Sequence, residues 1–129
     1  MTSYVIDAYA WIEYLEGSEK GQTVRKIVEN QIDTFHTSSV TYAEVISKFM
    51  RSGKNPQIAK DAMHTLSKIN NPDHEIAFLA AKIHAEQKQK KSDFGLADAF
   101  VIATAKTLSA KIITGDRKHF FDVPNVILI

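Results

Sequence analysis

The stretch Leu96–Asp116, LADAFVIATAKTLSAKIITGD, limits what this chain can fold into more than any other. It opens as a helix that is apolar almost all round, through Leu96, Ala97, Ala99, Phe100, Val101, Ile102, Ala103 and Ala105. A helix without a polar face belongs in a core, so other elements must cover it. Asp98 stands in the middle of those apolar positions, and its neighbours by helical spacing are Phe94, Val101, Ile102 and Ala105. A carboxylate left unpaired there is costly, or it takes up a proton. A bound cation relieves that cost. So does a basic residue, but none lies one turn away on this helix, so such a partner must come from elsewhere. Beyond the helix a short β-like run, Lys111 to Thr114, stops at Gly115-Asp116, and a second carboxylate thus follows a strand.

The amino end repeats the pattern. Tyr4-Val5-Ile6 reads as a buried strand ended by Asp7, and Ala8 to Glu16 as a helix with Ala8, Trp11, Ile12 and Leu15 on one face. Between the two ends the periodicity predicts helices over 22–30, around 41–51, from Pro56 to about Ile69, and from Glu75 to about Lys88. Thr34 to Thr37 is a weak strand, Arg117 to Phe120 a turn of helix, and Val126 to Ile129 a last strand. Strands that alternate with helices predict an α/β fold: a three-layer sandwich around a central, mainly parallel sheet of four or five strands. A length of 129 residues fits a single domain over 1–129. In such sheets ligands bind beyond the carboxyl ends of the strands, where the strand order reverses. If their strands are parallel neighbours, Asp7 and Asp116 both lie on that edge.

Composition narrows the chemistry. There is no cysteine, which removes disulfides, thiol nucleophiles and cysteine-based zinc sites and fits a reducing compartment. No apolar run approaches the roughly 20 residues of a membrane span. Met1 leads directly into TSYVIDAY with no signal-like block, so the expected location is cytoplasmic. A net charge of +1 neither demands nor excludes a polyanionic partner. The five histidines show no HExxH spacing, and there is no P-loop, GxGxxG or GxSxG. An aspartyl-phosphate phosphatase needs a second Asp two residues after Asp7, where Tyr9 stands.

Each remaining acid has an ordinary reading beside a functional one. Asp7 and Asp116 are placed to cap the helices that follow them. Glu44 has Lys48 four residues on, a surface pair worth about 0.3–0.5 kcal/mol. Asp93 is positioned to cap the Asp98 helix together with Ser92. Taken together, Asp7, Glu44, Asp98 and Asp116 form an oxygen-rich set that suits Mg²⁺ or Mn²⁺ rather than zinc. Without an ion such a set repels itself and raises some of its pKa values.

The segments YVIDAYAWIEYL, SSVTYAEV, LADAFVIATA and IITGDRKHF occur in an order that resembles PIN-domain proteins, most closely the small single-domain toxins of VapBC toxin–antitoxin pairs. The resemblance spans nearly the whole chain. It implies that Asp7, Glu44, Asp98 and Asp116 occupy the acidic positions of a Mg²⁺- or Mn²⁺-dependent ribonuclease, and Thr114 the site of the hydroxyl residue near the last acid. It further implies a homodimer, inhibited by a cognate antitoxin that inserts into the active-site groove. One departure stands out: the apolar strand expected between the fourth and fifth helices is reduced to Lys68-Ile69-Asn70-Asn71-Pro72-Asp73.

Metal held by Asp7, Asp98 and Asp116, with Glu44 directly or through water, would activate water for attack on an RNA phosphodiester. Lys48, Arg51, Lys91, Arg117 and Lys118 are candidate phosphate contacts, and each reads equally as a solvated surface charge. Tyr9 and Tyr14 are candidate stacking residues, whereas Trp11 reads as core. Two other readings compete. In one, the fold is a non-catalytic module for RNA or protein and the acids are structural. In the other, it is a metal-dependent phosphohydrolase of small substrates.

Overall fold

The computed structural model describes residues 1–129 as a sheet with helices on both faces. In chain order the elements are β1 (Ser3–Ile6), α1 (Ala8–Glu16), α2 (Glu19–Val28), β2 (Thr34–Ser38), α3 (Ser39–Arg51), α4 (Pro56–Leu66), β3 (Lys68–Asn70), α5 (His74–Lys88), α6 (Leu96–Leu108), β4 (Lys111–Thr114), α7 (Arg117–Phe120) and β5 (Val126–Leu128). The sheet order is β3-β2-β1-β4-β5, and every pairing is parallel. The chain builds outward from β1 through β2 to β3, then crosses back to β4 and ends at β5. The strand order therefore reverses between β1 and β4, the two strands that Asp7 and Asp116 follow.

Strand residues alternate between the two layers because successive side chains point to opposite faces. Val5 and Ile112 enter one apolar cluster with Ile83, Phe94, Val101 and Ile102, the α5 and α6 side. Ile6 and Ile113 enter the other with Trp11, Val24, Val45 and Met63, the side of α1 to α4. Ala99, Val101, Ile102, Ala103, Thr104 and Ala105 of α6 are all buried, covered by α5 and the sheet. The demand for cover raised by its all-round apolar pattern is thus met. No helix is long and apolar enough to cross a membrane.

The largest differences from the elements read off the sequence are at the end of α4, at β3 and at the start of α2. Helix α4 stops at Leu66 rather than near Ile69, and the next three-residue stretch becomes the fifth strand, β3. Ser67 makes the exit: its backbone is extended, and its hydroxyl hydrogen-bonds the Met63 carbonyl and Thr37 Oγ1, both at 2.7 Å. β3 has little apolar content, but pairing with β2 satisfies its backbone at the sheet edge. Helix α2 begins at Glu19, three residues before the predicted start, because Ser18 caps it by accepting the Gly21 N–H at 3.0 Å. Gly21 also lets α2 lie against α1, since a Cβ there would run into the Glu13 carbonyl.

Candidate metal centre

Strand ends and helix starts bring the acids to one place. Asp7 follows β1, Asp116 follows β4, Asp98 lies in the first turn of α6 and Glu44 lies on α3. All four line one cleft of about 750 Å³ at the carboxyl edge of the sheet. Asp98, predicted to sit in mid-helix, is instead the third residue of α6, and its Oδ2 accepts the Gly95 N–H at 2.9 Å. The start of a helix favours a negative charge, which offsets part of the burial cost inferred from its apolar neighbours.

Thr114 ties the two strand-end acids together. Its buried hydroxyl donates to Asp7 Oδ2 at 2.7 Å and accepts the Asp116 N–H at 3.0 Å. Asp7 makes no side-chain capping bond to α1. It is 5% exposed, and burial pushes its pKa up to about 6 against the Thr114 hydrogen bond, with Asp98 and Asp116 adding to the rise. Asp116 does cap α7, accepting the His119 N–H at 3.1 Å through Oδ1. Glu44 is pushed up to about 7, first by burial of its carboxyl in the cleft, then by Asp7 and Asp98. The residue as a whole is exposed, so water screens part of that burial. The Glu44–Lys48 surface pair expected from their spacing does not form; both side chains line the cleft, and no cation acts on Glu44. Burial also raises Asp98, opposed by the Gly95 hydrogen bond and by His119.

His119 is the one residue of the cluster not expected from the sequence. Its Nδ1 lies 2.7 Å from Asp116 Oδ2 and 3.8 Å from Asp98 Oδ2, and its Nε2 lies 3.2 Å from Asp93 Oδ1. Asp98, Asp116 and His119 each offer a ligand atom within 4.8 Å of the others. The available signal was Asp116-x-x-His119, a spacing that stacks two side chains on one turn of helix. Burial works against a charged His119 ring, but the Asp116 and Asp93 carboxylates beside it outweigh that, and the pKa is raised. No Lys or Arg pairs with any of the four acids, and the His119 imidazole is their one basic partner. Hard carboxylate oxygens with no lysine or arginine to neutralise them, in an open cleft, fit a divalent cation.

Asp93 does not cap α6. Gly95 holds that position, and Asp93 instead pairs with Lys118 at 2.6 Å and faces His119, which together hold its pKa down at about 2. The five basic candidates separate. Lys48 and Arg51 line the cleft. Lys118 is engaged by Asp93, and Arg117 is exposed outside the cleft lining. Lys91 lies apart from the cleft. It is buried, and its ammonium is held by the His119 carbonyl at 2.7 Å and by Asp122 rather than facing solvent as a phosphate contact would. Its long aliphatic stem lets it reach from the α5–α6 connection to the loop after α7.

Tyr9 is exposed on the cleft, and Lys20 donates to its hydroxyl at 3.1 Å. Trp11 is fully buried, as its helical face predicted, and donates Nε1–H to Thr37 Oγ1 at 3.0 Å. The Tyr14 hydroxyl is engaged by Glu29 at 2.8 Å, away from the cleft.

Known structures share this arrangement of strands and helices. A toxin–antitoxin complex from Klebsiella pneumoniae contains a chain 22% identical, with a TM-score of 0.77 over 96% of this chain and 95% of that one. VapBC2 from Rickettsia felis, bound to a DNA fragment from its promoter, matches at 20% identity and a TM-score of 0.78 over 99% and 98%. VapC20 of Mycobacterium tuberculosis, a Sarcin-Ricin loop cleaving toxin, matches at 12% identity and a TM-score of 0.71 over 86% of each chain. At these identities the likeness is one of fold. Comparison with curated protein sequences gives no significant match. The sequence pattern of the PIN domain matches residues 4–126, from β1 into β5 and across all four cleft acids, and the chain belongs to the PIN domain family.

Proposed function

We propose that this protein is a divalent-metal-dependent endoribonuclease and the toxin of a type II toxin–antitoxin pair. The observation that carries the reading is the convergence of Asp7, Glu44, Asp98 and Asp116 on one cleft with no lysine or arginine to neutralise them. Asp7, Asp98 and Asp116 would hold Mg²⁺ or Mn²⁺, with Glu44 directly or through water. When bound, such an ion lowers the pKa of water and neutralises charge on phosphoryl oxygens. The chain's own groups supply the rest. The Thr114 hydroxyl fixes Asp7 and, through the Asp116 amide, the turn that carries Asp116. Glu44 faces the same cleft, where the charge of an ion would favour its carboxylate form and leave it able to accept a proton from water. Lys48 and Arg51 supply positive charge along the cleft for a phosphate backbone.

The partners follow from family membership and from the structures that share the fold. An antitoxin is expected to occupy the cleft, and the chain is expected to act as a homodimer.

The deciding experiment is RNA cleavage by the purified chain with Mg²⁺ or Mn²⁺, against Asp98→Asn. The variant should lose at least about 100-fold in rate while its circular dichroism stays unchanged, because a ligand matters more than the second-shell groups whose loss costs 10–100-fold. Cleavage by Asp98→Asn at the wild-type rate removes the proposal, and absence of RNA cleavage by both proteins favours a non-catalytic module. Turnover of nucleotide phosphates with no RNA cleavage favours a small-molecule phosphohydrolase.

A further inference from the structure

We infer that His119 is itself a ligand of the ion, through Nδ1, held in place by the Asp93–Lys118 pair, and that this nitrogen biases the site toward Mn²⁺ over Mg²⁺. The inference rests on the metal-dependent reading above.

Three observations support it. The first is spacing. His119 Nδ1 lies 2.7 Å from Asp116 Oδ2 and 3.8 Å from Asp98 Oδ2, and the three ligand atoms lie within 4.8 Å of one another. Around an octahedral ion with bonds of about 2.1 Å, adjacent ligands are roughly 3 Å apart and opposite ones roughly 4.2 Å. Both His119 distances lie close to the range that one ion requires, and the 4.8 Å limit on all three atoms is slightly wider than it.

The second is the far side of the ring. Nε2 is buried and has no hydrogen-bond partner, yet it lies 3.2 Å from Asp93 Oδ1. A neutral ring that donates Nδ1–H to Asp116 turns a bare Nε2 lone pair toward a carboxylate, which is unfavourable, so without an ion the ring must carry a second proton to meet both carboxylates. With Nδ1 given to an ion the proton moves to Nε2 and faces Asp93. A histidine ligand whose second N–H meets a carboxylate is a recurrent arrangement at metal sites. Lys118, 2.6 Å from Asp93 Oδ2, holds that carboxylate in place.

The third is rigidity. The ring stands edge-on to the fully buried Phe94, with centroids 5.9 Å apart and planes at 82°. Short helix α7 sets His119 one turn from Asp116, so the two move as a unit. An imidazole nitrogen is a poor donor for Mg²⁺, which prefers oxygen, whereas affinity of nitrogen-containing sites rises along the first-row transition ions.

The test is pulsed electron paramagnetic resonance of Mn²⁺ bound to the full chain, with Mn²⁺ and Mg²⁺ affinities measured alongside. The wild type should show ¹⁴N coupling from a directly bound imidazole. His119→Gln should lose that coupling, and its Mn²⁺ affinity should fall at least about tenfold while Mg²⁺ affinity changes less. Asp93→Asn should keep the coupling and weaken Mn²⁺ about tenfold. Mn²⁺ bound to the wild type without ¹⁴N coupling overturns the inference and leaves the metal-dependent reading standing; His119 is then a charged link between Asp116 and Asp93. No Mn²⁺ or Mg²⁺ binding by the wild type overturns both. If His119→Gln does not fold, the wild-type spectrum decides alone.

Discussion

Replacing Asp7 with Asn isolates the cost of gathering carboxylates at the end of the sheet. Asp7 is 5% exposed and its pKa stands at about 6, against 3.8 for the free side chain. A shift of about two units corresponds to about 3 kcal/mol. The folded carboxyl holds its proton more tightly than the unfolded one, so folding takes up a proton between these two pKa values. The resulting stabilisation is complete below pH 3.8, fades as pH rises and is gone above about pH 6. Asn is neutral throughout and close to the same shape. Relative to Asp7→Asn, the metal-free wild type should therefore lose about 3 kcal/mol between pH 3 and pH 7. Urea unfolding in EDTA at a series of pH values measures this, and the difference between the two proteins cancels groups that titrate alike in both, such as Asp93 and Asp122. Added Mn²⁺ should then stabilise the wild type more than the variant, because an ion that binds the folded state alone shifts the equilibrium by mass action. A difference independent of pH would refute the picture of Asp7 as a carboxylate held against its preference.

Other substitutions separate structural charges from functional ones. Lys91→Met should lower stability by about 1–3 kcal/mol in chemical unfolding, since it removes the charged hydrogen bond to the His119 carbonyl while exposed Asp122 keeps Lys90, and should leave RNA affinity unchanged. Lys48→Ala with Arg51→Ala should weaken RNA binding measured by fluorescence anisotropy in EDTA. The slope of log affinity against log salt should fall by about 1.4 if each residue meets one phosphate of a single strand. Gly115→Ala should cost about 1–3 kcal/mol in thermal or urea unfolding and impair ion binding, because the added methyl runs into the Tyr9 ring beside Asp116.

The acid cluster carries a structural cost that its surroundings only partly offset. Asp98 gains the Gly95 amide and a helix start, Asp116 gains the α7 amide and His119, and Asp7 gains only Thr114 among side chains. Ordinary capping therefore accounts well for Asp116 and in part for Asp98. It does not account for Asp7 or Glu44, whose carboxyls face the cleft with raised pKa values and no cation of their own.

Much of this protein is legible without coordinates. The apolar runs that end in Asp7 and Asp116, and the all-round apolar helix, specify an α/β layer because burial and backbone periodicity are local properties of the chain. Asp7, Asp98 and Asp116 stand out for the same reason, each anomalous or adjacent to a strand end within its own segment, whereas Glu44 reads locally as a surface pair and joins them only as part of the set and through the resemblance of SSVTYAEV to PIN-domain proteins. Other features depend on which segments meet. β3 forms because β2 offers its edge, not because Lys68-Ile69-Asn70 favours a strand. Lys91 is spent on Asp122, 31 residues away, so its sequence surroundings give no sign of its burial. His119 joins the acids because α7 folds back beside the start of α6, and Asp93 turns from α6 to meet it. Local patterns of hydrophobicity and capping determined the elements and the acids at their ends. Which charge faces which depends on side chains tens of residues apart approaching within a few ångströms, and that distance is set only when the layers pack.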